Sequence, residues 1–573
     1  MGKGLRGGVR QRLGLDKASL KRGKSELGGF LVRAYLRGSL TSHDLQEGAR
    51  SAGSSAPELQ RLAKAKQRAR VRRGKINADT RNACRAATRF LRSRAILTQP
   101  MNIDAPLWDN LKNMRVMGKI AVLPIHETLD ALVREGTEEE YASCDKSQAS
   151  LRSDLRDWAS RVGAVLAGVW FMLALWGDAA PLSKRESLYL LTYRVLSGVH
   201  RQRLWIAAIS KRSLCQCGCF GRCTFDAIFD HVSWSCLALV AGKWPSVDHL
   251  GRPLTGWRAE KAGTPLRFRA AVIAKCGDWS WHKQILGMRA WNEGLMCWLC
   301  QQRLDDYDFS LTAPWRRTQR CMRGFNASLL IDGAHASNIF ALPGFLLEYI
   351  KPDWMHCVCL GILQYLLGNV MWELFTEVGG VFSRSQEACA VLLATARMTA
   401  KKLGLDAPFN VLTVTMIKPS TKKRPRMKLK ATEGRNFLPI LTTMLVECFP
   451  HSSERLELRL RCCQSLCRCY YELRNWCSVE SPARLELSAR QHLLLYKELG
   501  GDNERYWHIY PKHHMFLHVS IATTNPALMW NYSDEDEIGR AAKLAGKCNV
   551  AWLNTGLLQR YRVQFERAPA SEQ

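Results

Sequence analysis

Two apolar stretches of strand length end in the same dipeptide, and that repetition constrains the fold more than any other local feature. Phe171–Asp178 reads Phe-Met-Leu-Ala-Leu-Trp-Gly-Asp, and Phe268–Asp278 reads Phe-Arg-Ala-Ala-Val-Ile-Ala-Lys-Cys-Gly-Asp. In an α/β sheet the carboxyl end of a strand is where sites assemble, so each run is expected to deliver a carboxylate there. Two carboxylates from neighbouring strands can hold divalent metal ions and so serve phosphoryl transfer. Gly-Asp is equally a common turn, and either aspartate taken alone has that plainer reading. From residue 166 the apolar runs, Cys clusters and Trp-rich turns indicate a mixed α/β domain spanning 166–355. The chain beyond is expected to be a helical domain over 356–505, because Gly361–Phe375 and Leu456–Trp476 repeat apolar residues at three and four. A basic loop, Lys418–Lys430, interrupts it.

Charge bears on partners. The 573 residues allow two to four domains, and 47% hydrophobic residues exclude a mostly disordered chain. A net charge of +32 repels itself unless a polyanion neutralises it. Nucleic acid is the commonest such partner and an anionic membrane surface the next. The first 100 residues carry 24 basic against 6 acidic side chains. Residues 1–90 therefore read as a flexible basic arm, with Lys64, Lys66, Arg68, Arg70, Arg72, Arg73 and Lys75 as its nucleic-acid contacts or nuclear-import signal. Residues 91–165 read as a helical segment, and 568–573 as a frayed tail. No apolar h-region follows the basic start, and Val162–Gly177 spans 16 residues against the roughly 20 that a membrane helix needs. A buried strand or helix–strand pair is expected there, with no membrane association. A nuclear, reducing compartment then makes the 21 cysteines thiols or metal ligands.

Cys297-Trp-Leu-Cys300 has the spacing that lets two thiolates share one tetrahedral Zn²⁺, with His335 or His356 to complete it. A redox role is the rival, but no thioredoxin-like pattern surrounds the motif. Cys215, Cys217, Cys219 and Cys223 place four thiols in nine residues, loosened by two glycines. They can wrap one zinc ion or form an unligated Cys-rich turn.

From the second Gly-Asp onward the order of elements resembles the En/Spm-like (CACTA) transposases. Cys-x-x-Cys follows the acid-bearing strand, and Asp353-Trp-Met-His-Cys-Val-Cys-Leu-Gly361 matches that family's Asp-x-Met-His element opening a helix. Lys430-Ala-Thr-Glu-Gly-Arg435 is similar to its Lys-Ala-Thr-Glu-x-Arg segment, and His514-Met-Phe-Leu-His518 to its His-x-x-x-His strand. Trp530-Asn-Tyr-Ser-Asp-Glu535 falls where the family has an aromatic segment with a Glu opening a late helix. The Cys215–Cys223 cluster has no counterpart in the pattern. The resemblance spans roughly 170–550 and implies an RNase H-like α/β core with a large helical insertion, closed by a C-terminal part of the core over 506–567. It implies a DDE triad of Asp178, Asp278 and Glu535, or Glu537 for the last, with Asp353, His356 and Glu433 in support. Such a triad holds Mg²⁺ or Mn²⁺ and cleaves and rejoins DNA strands, with homo-oligomers as a further expectation. A catalytically inactive descendant that binds DNA or chromatin, and a zinc-scaffold interaction protein, are the alternatives.

Overall fold

The computed structural model describes residues 95–565, apart from 137, 144–147, 184–185, 199–201, 320–335, 380–384, 408, 421, 450–452, 502–505, 547 and 549–552. The basic arm with Lys64 to Lys75, His335 and the tail over 568–573 lie outside the described residues.

The helical expectation for 91–165 holds only in part. Strands β1 (Met101–Asp109) and β2 (Met114–Val122) form an antiparallel hairpin, and helices α1 (Ile125–Glu135) and α2 (Ala149–Val162) follow. Asp109 Oδ1 accepts from the Leu111 and Lys112 amides, and Asn113 takes a left-handed φ of 51°. This is Asx-turn chemistry, and it closes a hairpin whose inward residues, Ile103 and Ala105, recur at period two. The apolar run from Val162 is a helix–strand pair, as expected: Gly163 ends α2 in the left-handed region and a strand begins at Trp170.

That strand is central to a four-stranded sheet in the order β5-β4-β3-β6. β3 (Trp170–Ser183), β4 (Glu186–Val195) and β5 (Leu204–Ser210) are antiparallel neighbours. β6 (Arg269–Gly277) returns parallel to β3 after the 20-residue helix α3 (Arg222–Ala241), which packs against it. The strands are buried along most of their length, as strands covered on both faces are. Phe171 stacks on Phe268 at 4.7 Å between ring centroids, fixing β3 beside β6.

Short helix α4 (Trp279–Leu286) leaves the end of β6. The expected helical region then appears: a π-helical segment, Met355–Ile362, runs into α5 (Leu363–Gly379), followed by α6 (Ser385–Lys402), α7 (Ala431–Glu447), α8 (Glu454–Arg474) and α9 (Ser481–Gly500). Met355–Val378 is long and apolar enough to cross a membrane, yet it is mostly buried inside the protein as a core helix. α10 (Pro511–Ser520), α11 (Tyr532–Ala545) and α12 (Leu553–Gln564) bring the chain back to the sheet. The Asn554 amide bridges Ala121 of β2 and Ala208 of β5, and Tyr561 stacks on Trp205 at 4.3 Å. The protein is thus mixed α/β, with helices inserted between a small sheet and the helices that complete its cover.

Candidate metal centres

Asp178 and Asp278 follow Gly177 and Gly277, which face each other across the parallel β3–β6 pair. The two carboxylates therefore leave adjacent strands at the same level. Only Asp278 ends its strand; β3 continues to Ser183 against β4, so Asp178 sits where its β6 neighbour has stopped. Gly177 is needed here because a Cβ would lie 2.2 Å from the Trp281 ring. Asp278 Oδ1 caps α4 by accepting from the Trp281 amide at 2.6 Å, and Asp178 Oδ1 accepts from the Ala179 amide at 2.6 Å. One oxygen of each aspartate is thus held by backbone.

The late helix supplies the third acid. Within Asp534-Glu-Asp-Glu537 each carboxylate meets a different fate, because successive helical residues are turned about 100° apart. Asp534 is buried and accepts from Arg194 at 3.1 Å and Arg203 at 3.0 Å, pinning α11 to the sheet. Glu535 faces Asp178, and each carboxyl bears on the other's charge. Asp536 faces solvent. Glu537, two residues on from Glu535, lies on the opposite side and accepts from the Trp205 indole and from Arg540. The late acid of the cluster is accordingly Glu535, and Glu537 is excluded.

Burial, followed by the negative charges of Asp278 and Glu535, pushes the Asp178 carboxyl up to about 8. Burial also raises Glu535, although the nearby His356 charge opposes it. His356 Nδ1 is 2.6 Å from Asp353 Oδ2, and its Nε2 is 3.5 Å from Glu535 Oε1. Burial alone would depress that imidazole; the Asp353 hydrogen bond, with the charges of Asp353, Glu535 and Asp278, instead raises it to about 9. Asp353 both orients His356 and caps the π-helical segment through the Met355 and His356 amides. π-Helical turns are rare and concentrate at functional sites. Three carboxylates thus bear on one another's charge with the His356 imidazole beside them, whereas among the described residues only two cysteine-containing sets bring three or more ligand atoms within 4.8 Å of one another. A cleft of about 270 Å³ opens against the cluster, lined by Asp278, Trp279, Trp291, His356 and Lys512 among others.

Glu433 does not join. Its carboxylate accepts from the Lys430 amide at 2.8 Å and caps α7. Arg435 of that segment packs its guanidinium over the Tyr532 ring at 5.5 Å and the Trp530 ring at 6.0 Å, on the segment leading into α11. Lys512 was likewise missed: its half-buried ammonium donates to the His356 carbonyl at 2.7 Å.

A second cluster is closed. Cys297, Cys300, His514 and His518 are all buried, and their four ligand atoms lie within 4.8 Å of one another. Cys300 Sγ is 3.2 Å from His514 Nε2 and 3.4 Å from His518 Nε2, while Cys297 Sγ is 3.4 Å from His518 Nε2. The Cys297 hydrogen bond holds the Cys300 thiol down to about 3 against the effect of burial, with His514 and His518 assisting. Burial pushes Cys297 the other way. This Cys2His2 set could hold a metal such as zinc. His356 takes no part in it, contrary to expectation. The completing ligands come from a segment expected to be a strand. In a strand, residues four apart stand roughly 13 Å from one another, whereas one turn of α10 places His514 above His518 on a single face. The i,i+4 histidine spacing was the available signal.

The third cluster, Cys215, Cys217, Cys219 and Cys223, also brings its sulfurs within 4.8 Å of one another and could hold a metal such as zinc. No protein-family model and no curated protein matches this chain.

Proposed function

We propose that the chain is a transposase-derived, DNA-processing protein whose acid cluster binds Mg²⁺ or Mn²⁺ on an RNase H-like core. One observation carries this reading: Asp178, Asp278 and Glu535, from segments up to 357 positions apart, are near enough to raise the Asp178 carboxyl by their charge, and Asp278 lines a cleft. It is supported by the mixed sheet that presents two of the acids and by the helical insertion between the second acid and the third. It is also supported by the basic balance of the chain, which suits a phosphodiester substrate.

Asp178, Asp278 and Glu535 would hold the cation, which when bound activates an attacking oxygen and stabilises the leaving one. The protein's own contribution is positioning. Backbone amides fix one oxygen each of Asp178 and Asp278, and the Arg194–Asp534–Arg203 cluster fixes the helix that presents Glu535. Asp353 holds His356 with its Nε2 toward Glu535, where the imidazolium neutralises charge and can give up its proton as a cation enters. The aromatic wall formed by Trp279 and Trp291 offers stacking surface for bases next to the acids.

The test is a nicking assay on duplex DNA with Mg²⁺ or Mn²⁺, comparing the full chain with Asp278→Asn and Glu535→Gln. Loss of cleavage in both variants, with folding retained, is expected. DNA binding without metal-dependent cleavage by the unaltered chain would instead make it an inactive, DNA-bound descendant.

A further inference from the structure

We propose that Cys215, Cys217, Cys219 and Cys223 bind one Zn²⁺ as a closed structural centre, separate from the Cys2His2 set, and that this centre shapes the strap joining β5 to α3. The four sulfurs lie within 4.8 Å of one another, and Cys217 Sγ is 3.8 Å from Cys223 Sγ. Tetrahedral Zn–S bonds of about 2.3 Å give sulfur–sulfur edges of about 3.8 Å. A Cys217–Cys223 disulfide would need about 2.05 Å and would leave the convergence of Cys215 and Cys219 without a cause.

The backbone of the strap is wound around that point. The Gly221 amide donates to the Cys215 carbonyl at 3.0 Å, the Cys219 thiol to the same carbonyl at 3.4 Å, and the Arg222 amide to the Cys219 carbonyl at 3.0 Å. Gly218, Phe220 and Gly221 all take left-handed φ values, 89°, 53° and 91°. Glycine does this freely, but a phenylalanine is strained there. The Phe220 ring is 73% exposed, so its burial does not offset the strain. Four thiolates on one metal ion supply a local constraint of the required kind.

With all four positions filled by protein, no site is left for water, which marks the centre as structural. The strap is basic, carrying Lys211, Arg212 and Arg222, the sign that two thiolate charges beyond those of Zn²⁺ call for, and Arg212 pairs with Glu186. The strap also contacts two parts of the fold, β1 and α4. Leu214 bridges Leu107 of β1, Thr224 links the Cys215 amide to the Pro106 carbonyl, and the Phe220 carbonyl accepts from Gln284 of α4. Gln284 also bonds Tyr189 of β4, so the centre braces the helix that Asp278 caps.

Zinc counted by native mass spectrometry on the full chain should fall by one equivalent in Cys217→Ser/Cys223→Ser, and stay unchanged in Cys448→Ser/Cys477→Ser. Alkylation of the unaltered protein gives a reading independent of how the variants fold. Cys217 is as exposed as Cys448 and Cys477, yet it should react far more slowly than they do until a chelator is added. Equal reactivity of the three in zinc-loaded protein, an unchanged zinc count in the double variant, or a Cys217–Cys223 disulfide in reduced preparations would each overturn the proposal.

Discussion

The acid cluster and the Cys2His2 set join the same two parts of the chain by opposite physical means. In the Cys2His2 set, four buried donors face one another, with 3.2–3.4 Å across the Cys300–His514, Cys300–His518 and Cys297–His518 pairs. In the acid cluster, hard oxygen donors repel one another, which raises the Asp178 carboxyl and, with Asp353, the His356 imidazole, and Asp278 borders an open cleft. The first arrangement suits a metal that enters once during folding, and under the proposed function the second would take a cation that exchanges. They also meet physically. α10 carries His514 and His518 and, two residues before His514, Lys512, which holds the carbonyl of His356. The closed centre thus positions part of the open one.

The largest expected effect breaks the closed centre. Structural zinc contributes about 10–16 kcal/mol of apparent binding free energy in small domains, so Cys300→Ser or His514→Ala should lose one zinc and leave the C-terminal half unfolded. Circular dichroism and limited proteolysis would show it, and a folded, zinc-loaded variant would contradict the assignment. Asp278→Asn is the matching substitution at the open centre. The amide keeps the helix cap, so folding should persist while metal-dependent cleavage falls about 10³-fold or more, equivalent to about 4 kcal/mol of transition-state stabilisation.

Half of this contrast was legible in the sequence. Asp178 and Asp278 announced themselves because a buried strand tolerates a carboxylate only where its apolar run stops. Cys297 and Cys300 announced themselves by spacing alone. Their partners did not, since His514 and His518 lie more than 200 positions away and their segment was expected to be extended. The choice between Glu535 and Glu537 was hidden for another reason. It depends on the rotation of α11, and that rotation is set by Arg194 and Arg203 gripping Asp534, a tertiary contact that no local pattern encodes. The hairpin over 101–122 was missed because its Asp-Asn-Leu-Lys-Asn turn is polar in the same way as a helix start.

A smaller effect concerns pH. The Asp178 carboxyl is raised to about 8 in the folded chain from an unfolded value of 3.8, so the fold gains from the proton and that gain is lost as pH rises from about 4 to 8. His356 works in the same direction, its stabilising proton leaving between 6.5 and about 9. Metal-free protein should therefore lose thermal stability from pH 6 to 9, and Mg²⁺ should restore more of it at pH 9 than at pH 6. Asp178→Asn removes the repulsion and should stabilise the metal-free chain by at least about 1 kcal/mol, while flattening the pH slope. A steeper slope in that variant would show that the acids do not share their field.

The smallest effect separates the two late glutamates. Glu537 holds the Trp205 indole and Arg540 on the face of α11 turned away from the acids. Glu537→Gln keeps the shape and one acceptor, so it should cost about 0.5–1.5 kcal/mol of stability and leave cleavage unchanged. Glu535→Gln should do the reverse, sparing the fold and abolishing cleavage, because its carboxylate makes no contact that anchors the helix. Denaturant titration and the nicking assay on the same two preparations read both quantities. If Glu537→Gln were the silent fold and dead enzyme, α11 would have to be turned by more than half a revolution. The Asp534–Arg194–Arg203 cluster could not then form, so this pair of substitutions tests the placement of the helix as well as the identity of the acid.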